Sequence, residues 1–174
     1  LLAELDRDEH IIALAYHVDY WDYTGWPDTF GAPANSDHQR NYAESWGSSR
    51  IFTPQLVVNG AEGVVASRRQ EVDIAVQNAV LELPVGLAAQ GDTLRINIDP
   101  KPGLGEAVVW LVTFIDRADV AIERGENEGK KIAYSQIVTD RQVLGMWEPD
   151  AGAELKLPLA EVLSDSADGV AILV

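Results

Sequence analysis

Near Pro84 the spacing of apolar positions along the chain changes character. Upstream, short apolar runs alternate with stretches of helical period; downstream, short segments of strand-like character recur with turn residues between them. Leu1, Leu2 and Leu5 have helix-compatible spacing and lead into Asp6-Arg7-Asp8-Glu9, which reads as a helix end and loop. Residues 11–18 form a continuous apolar run, rich in branched side chains and interrupted only by His17. Such a run predicts a buried strand of a mostly parallel sheet. Ser36 or Asp37 is placed to cap a helix through Trp46, with Tyr42 and Trp46 on one face and Gly47 as its stop. Thr53-Pro54 opens a strand over residues 55–58, and Asn59-Gly60 predicts a two-residue hairpin turn into a second strand at 63–66. Ser67 then reads as the N-cap of a helix over 69–81, with Val72, Ala75, Val76, Ala79 and Val80 on its apolar side.

Beyond Pro84, strands are predicted at 94–98, 108–115, 119–123, 131–138, 155–157 and 170–174, with one helical turn near 158–163. Turn signals stand at Gly91-Asp92, Pro102-Gly103, Asn127-Glu128-Gly129 and Asp150-Ala151-Gly152. The pattern predicts an α/β domain over residues 1–83 followed by an all-β, sandwich-like module over 84–174.

Composition narrows the functions available. A formal charge of −15 with no basic stripe argues against a nucleic-acid partner, because phosphate binding needs clustered Lys and Arg. The absence of cysteine excludes disulfides, thiolate metal ligands and a cysteine nucleophile within these 174 residues. No apolar run approaches the roughly 18 residues needed to span a bilayer.

Candidate chemistry gathers in two places. His17 and Asp19 end the first apolar run, at the strand end where open α/β sheets bind ligands, and alternation puts both on one face. Asp22, Asp28 and His38 follow closely, so a metal site or acid–base pair competes with a histidine simply bonded in the loop. Around them, Tyr20, Trp21, Tyr23 and Trp26 read as satellite core more readily than as a recognition surface. The second place is Thr53-Pro54. A proline at a strand mouth is either an ordinary trans residue on an edge or a cis residue, since only X-Pro bonds take the cis form cheaply. Ser45, Ser48 and Ser49 lack a nucleophile-elbow pattern, so a serine hydrolase is unsupported.

Several motifs extend this reading. His17-Val18-Asp19-Tyr20-Trp21-Asp22-Tyr23-Thr24-Gly25-Trp26-Pro27, Gln39-Arg40-Asn41-Tyr42, Thr53-Pro54 before a strand and Asn59-Gly60, and Arg124-Gly125-Glu126-Asn127-Glu128-Gly129 before Ile132 span nearly the whole chain. Together they resemble a family of uncharacterised, thioredoxin-like, mostly exported bacterial proteins (domain of unknown function 1223). The resemblance implies a thioredoxin-like first domain with a cis-proline loop at Pro54 facing the active site. It also implies a periplasmic location and a protein or peptide thiol substrate that meets Thr53 and Pro54. Such proteins usually carry a Cys-x-x-Cys after a first strand, and this chain begins at what resembles the end of the following helix. The expectation is therefore that the redox cysteines and the central strand lie upstream of Leu1. The alternative is a redox-inactive thioredoxin-like scaffold whose β module binds a partner. Neither reading calls for a cofactor or a metal. The Arg124–Gly129 motif reads as a hairpin tip.

Overall fold

A computed structural model describes residues 1–124, 128–163 and 167–174 of the chain. It has mixed α/β content with three small sheets, and divides into two compact units. One comprises Leu1 with His17–Glu82; the other comprises Leu2–Tyr16 with Leu83–Val174.

In the first unit, helix α2 (Pro33–Ser45) is followed by strands β1 (Gln55–Val58) and β2 (Glu62–Val65) and helix α3 (Arg69–Asn78). Strands β1 and β2 form a two-stranded antiparallel sheet, registered by Leu56 opposite Val64. Their turn is the one the sequence predicts: Asn59 and Gly60 take positive φ values of 46° and 72°, and the Ala61 N–H donates to the Val58 carbonyl. Val72 and Ala75 of α3 are buried, as their spacing predicts, but the helix ends at Asn78, short of the predicted 81, and Ala79 and Val80 beyond it are exposed. Two predicted caps differ. Helix α2 begins at Pro33, whose ring fixes φ and whose missing N–H is no loss in the first turn, so Ser36 lies inside the helix. At α3 the N-cap position is Arg68 with no side-chain cap, and Arg68–Glu71 and Arg69–Asp73 ion pairs span the first turns instead.

In the second unit, α1 (Leu2–Leu5) precedes β3 (Val85–Gln90), β4 (Thr93–Ile98), β5 (Ala107–Ala121), β6 (Lys131–Trp147), β7 (Ala153–Pro158), α4 (Leu159–Val162) and β8 (Gly169–Leu173). These strands make two three-stranded antiparallel sheets, β3-β4-β7 and β6-β5-β8. Ile96 and Ile98 of β4 meet Val109 and Trp147 in one fully buried cluster; Leu94 meets Leu111 and Val162 in another. The two predicted strands at 108–115 and 119–123 are one strand, β5, paired almost throughout with the slightly longer β6. Strand β3 went unread because its Gly and Ala positions carry little strand character. Of the Arg124–Gly129 motif, residues 125–127 lie outside the described residues.

The run at 11–18 is not the buried strand that its composition predicts. Its ladder is a single parallel bridge, Ala15 opposite Ile137, in which the Ala15 N–H donates to the Gln136 carbonyl and the Ala15 carbonyl accepts from the Val138 N–H. Leu14 and Tyr16 cover the Val112, Val138 and Ala171 cluster, while Ile12 faces solvent. Side-chain cover, not strand pairing, is what this apolar run supplies. It therefore groups residues 2–16 with the β strands, not with the α/β domain in which the sequence placed them.

Candidate functional site

His17 and Asp19 are brought near the start of α2, but each takes a different partner. His17 is largely buried, and its Nδ1 lies 2.7 Å from Asp28 Oδ2, with the ring edge-on to Phe30. The His17 carbonyl accepts from the Ala32 N–H and from Asn35 Nδ2, so the same residue anchors the chain as it enters α2. Burial opposes a charge on Asp28, yet the His17 bond, the Phe30 N–H and the charge of His17 outweigh it. The Asp28 carboxyl is held below the ordinary carboxylate range.

Asp19 is bonded instead to Ser36. The Ser36 hydroxyl donates to Asp19 Oδ1 at 2.5 Å and accepts from the Asp19 N–H at 3.2 Å. Ser36 is 1% exposed, so this reciprocal pair ties the loop to the interior of α2. Asp22 Oδ1 accepts from the Asp28 N–H, and the His38 ring packs against Tyr42 at 4.8 Å. Of the five residues the sequence groups as possible ligands, His17 and Asp22 both bond to Asp28, Asp19 bonds to Ser36, and His38 packs on Tyr42. Among the described residues, no three His, Asp or Glu side chains are grouped to hold a metal ion.

Thr53 and Pro54 are exposed, and the bond between them is cis. The Pro54 carbonyl accepts from the Ala66 N–H, which places them at the head of the β1–β2 ladder. Next to them stands a surface the sequence assigned to satellite core. Trp21 is 48% exposed and Tyr23 80%, their rings stacked at 6.3 Å and 26° on a 3-10 turn over Asp22–Thr24. The Trp21 indole N–H donates to Thr53 Oγ1 at 2.9 Å, fixing the aromatic pair beside Thr53. Tyr20 donates its hydroxyl to Gln39, whose amide donates to the Phe52 carbonyl and to Gln55 Oε1. The loop before β1 is therefore braced by α2 from beneath.

Two residues of this candidate site carry little signal in the sequence. Trp21 gives no signal that separates an exposed indole from a buried one. In sequence Asp28 is one of several acidic neighbours of His17, and Pro27 before it is the one sign of a turn there.

The chain belongs to the family described as "Protein of unknown function (DUF1223)", whose pattern it matches over residues 1–174. No curated protein matches it. It is similar to the crystal structure of protein AGR_C_4864 from Agrobacterium tumefaciens, at 26% identity and a TM-score of 0.76. That likeness covers 99% of this chain and 84% of the Agrobacterium chain. No helix among the described residues is long and apolar enough to cross a membrane.

Proposed function

We propose that the complete protein is an exported, thioredoxin-like thiol-disulfide oxidoreductase whose redox cysteines lie upstream of Leu1, and that this chain supplies its peptide-binding face. The observation that carries the binding part is the bond from Trp21 to Thr53, which holds an exposed aromatic pair against the exposed Thr53-Pro54 loop. Aromatic rings fixed by a polar handle offer a large contact area at low ordering cost, which suits an extended peptide.

Strand β1 supports a further strand beside it. Bonded pairs alternate along an antiparallel ladder, and Pro54 with Ala66 is one of them. Leu56 and Val58 therefore direct their backbone groups to β2, while Gln55 and Val57 direct theirs to the opposite edge. Among the described residues β1 pairs with β2 alone. The outer edge of β1 is thus a ready position for the central strand that the thioredoxin-like reading puts upstream.

The test of the binding face is calorimetric titration of the natural protein with an unstructured, cysteine-containing peptide. Trp21→Ala is expected to weaken binding about tenfold or more, as truncating an aromatic anchor does. Unchanged affinity in that variant contradicts the assignment of the face.

A second reading is a redox-inactive thioredoxin-like scaffold that binds a partner through its β strands. Among the described residues, β3 ends the sheet β3-β4-β7 without a charged side chain, which leaves such a partner an edge to pair with.

A further inference from the structure

The turn that carries the exposed aromatic pair is held from several sides. The Asp22 N–H donates to the Asp19 carbonyl, and the Trp21 carbonyl accepts from the Thr24 N–H at 2.9 Å and from the Thr24 hydroxyl at 2.7 Å. Gly25 closes the turn at a φ of 110°. Trp21 is fixed at its indole nitrogen by Thr53 and flanked by two rings, Tyr20 tilted at 5.7 Å and Tyr23 stacked at 6.3 Å. At 80% exposure Tyr23 leaves most of its ring open to solvent.

An open aromatic face accepts several kinds of ligand, and the charges around it choose among them. Every Asp, Glu, Lys or Arg in residues 18–36 is an aspartate: Asp19, Asp22 and Asp28. Asp28 has His17 beside it. The carboxylates of Asp19 and Asp22 bond to Ser36 and to the Asp28 N–H, and neither pairs with a cation among the described residues. Asp22 stands between Trp21 and Tyr23 on the same turn, so its charge acts at the Tyr23 ring within the Debye length of about 8 Å at physiological salt. The wider unit agrees. His17–Glu82 holds nine Asp and Glu against four Arg and no Lys, and Arg40, Arg68 and Arg69 are taken up in ion pairs with Asp37, Glu71 and Asp73. Among the described residues that leaves Arg50 against Asp19, Asp22, Glu44 and Glu62, none of them in an ion pair. The face of an aromatic ring is itself negative, so ring and carboxylates attract the same charge.

We propose that the peptide bound at the Trp21–Thr53 face is basic, and that one of its Lys or Arg side chains lies over the Tyr23 ring. This names the substrate class of the peptide-binding reading above and rests on it. An extended segment lying along Thr53 and Pro54 passes the aromatic pair, because the Trp21–Thr53 bond joins the two. The aliphatic stem of Lys or Arg covers ring carbon while its charged head stays in water. Acidic segments meet like charge at the same place and are repelled.

Calorimetric titration of the natural protein tests the proposal with three unstructured, cysteine-containing peptides that differ only in carrying Lys, Gln or Glu at alternate positions. The Lys peptide is expected to bind about threefold or more tighter than the Gln peptide, and the Glu peptide more weakly than both. Tyr23→Leu leaves the charge of the protein unchanged and is expected to remove most of the preference for Lys over Gln. Tyr23→Phe keeps the ring and is expected to retain that preference. A Lys preference unchanged in Tyr23→Leu belongs to the general charge of the chain and overturns the assignment to this ring. Equal affinity for the Lys and Gln peptides, with both weakened by Trp21→Ala, overturns the basic class while the binding face stands. No measurable binding of any of the three peptides removes the face, and this proposal with it.

Discussion

The Trp21 indole N–H donates to the Thr53 hydroxyl oxygen at 2.9 Å, joining two positions 32 residues apart in sequence. Through this bond the aromatic turn and the head of strand β1 form one surface. Thr53→Val keeps the shape of the side chain but removes the acceptor. It is expected to cost about 1 kcal/mol of stability or less, since Trp21 is half exposed and water can replace the bond. Peptide affinity is expected to fall further than stability does, and Thr53→Ser to restore both. Denaturant midpoints and peptide titration on the three proteins check this; equal peptide affinity in all three contradicts it.

His17 keeps Asp28 ionised at low pH. Because the Asp28 pKa is depressed in the folded protein, its contribution to stability is complete above the ordinary value of 3.8 and is lost as pH falls through the lower folded value. His17→Ala removes the principal bond and the favourable charge while leaving a partly buried carboxylate. The Asp28 pKa is expected to rise, and acid unfolding to begin at higher pH. Carbon-13 titration of the Asp28 carboxyl reads the shift directly, and an identical curve in wild type and variant would show that His17 plays no such part.

Ser36 satisfies the Asp19 carboxylate and the Asp19 N–H from a buried position inside α2. Ser36→Ala leaves both groups without that partner and is expected to destabilise the protein by about 1–3 kcal/mol. A midpoint shift in urea of less than about 0.5 kcal/mol in free-energy terms, the range of ordinary surface changes, would show that water replaces the hydroxyl at no cost.

Gly63 on β2 lies against Trp46 and Gln55. A Cβ there would stand 2.5 Å from Gln55 Nε2 and 2.8 Å from Trp46 Cζ3. Neither neighbour yields freely, because Trp46 is stacked on Tyr42 and bonded to the Gly60 carbonyl, and Gln55 accepts from Gln39. Gly63→Ala is expected to cost about 1–3 kcal/mol by overpacking, measured by thermal or urea unfolding. A neutral or stabilising substitution contradicts the packing described here.

Local patterns with one physical meaning were legible in the sequence. Asn59-Gly60 demands positive φ at both positions, and the structure has it there. Alternation in Leu94, Ile96 and Ile98 marks a one-sided strand, and those three are buried. The Tyr42–Trp46 spacing gives stacked rings on α2. Features set by distant partners were not legible. The 11–18 run is apolar enough for a strand, but whether it pairs depends on β6, more than a hundred residues away. His17 and Asp19 are neighbours in sequence, yet their bonds go to Asp28 and Ser36, which loop geometry delivers. Trp21 has the same composition-level signature as a buried aromatic, and only its seat on an exposed turn separates the two.

Counting thiols in the natural protein tests the proposed redox function most directly. Intact mass and N-terminal sequence of the natural protein would be combined with thiol quantification before and after reduction. The thioredoxin-like redox reading predicts a cysteine pair upstream of Leu1 that titrates only after reduction in the oxidised protein. A natural protein without such a pair contradicts it and leaves the redox-inactive scaffold as the reading.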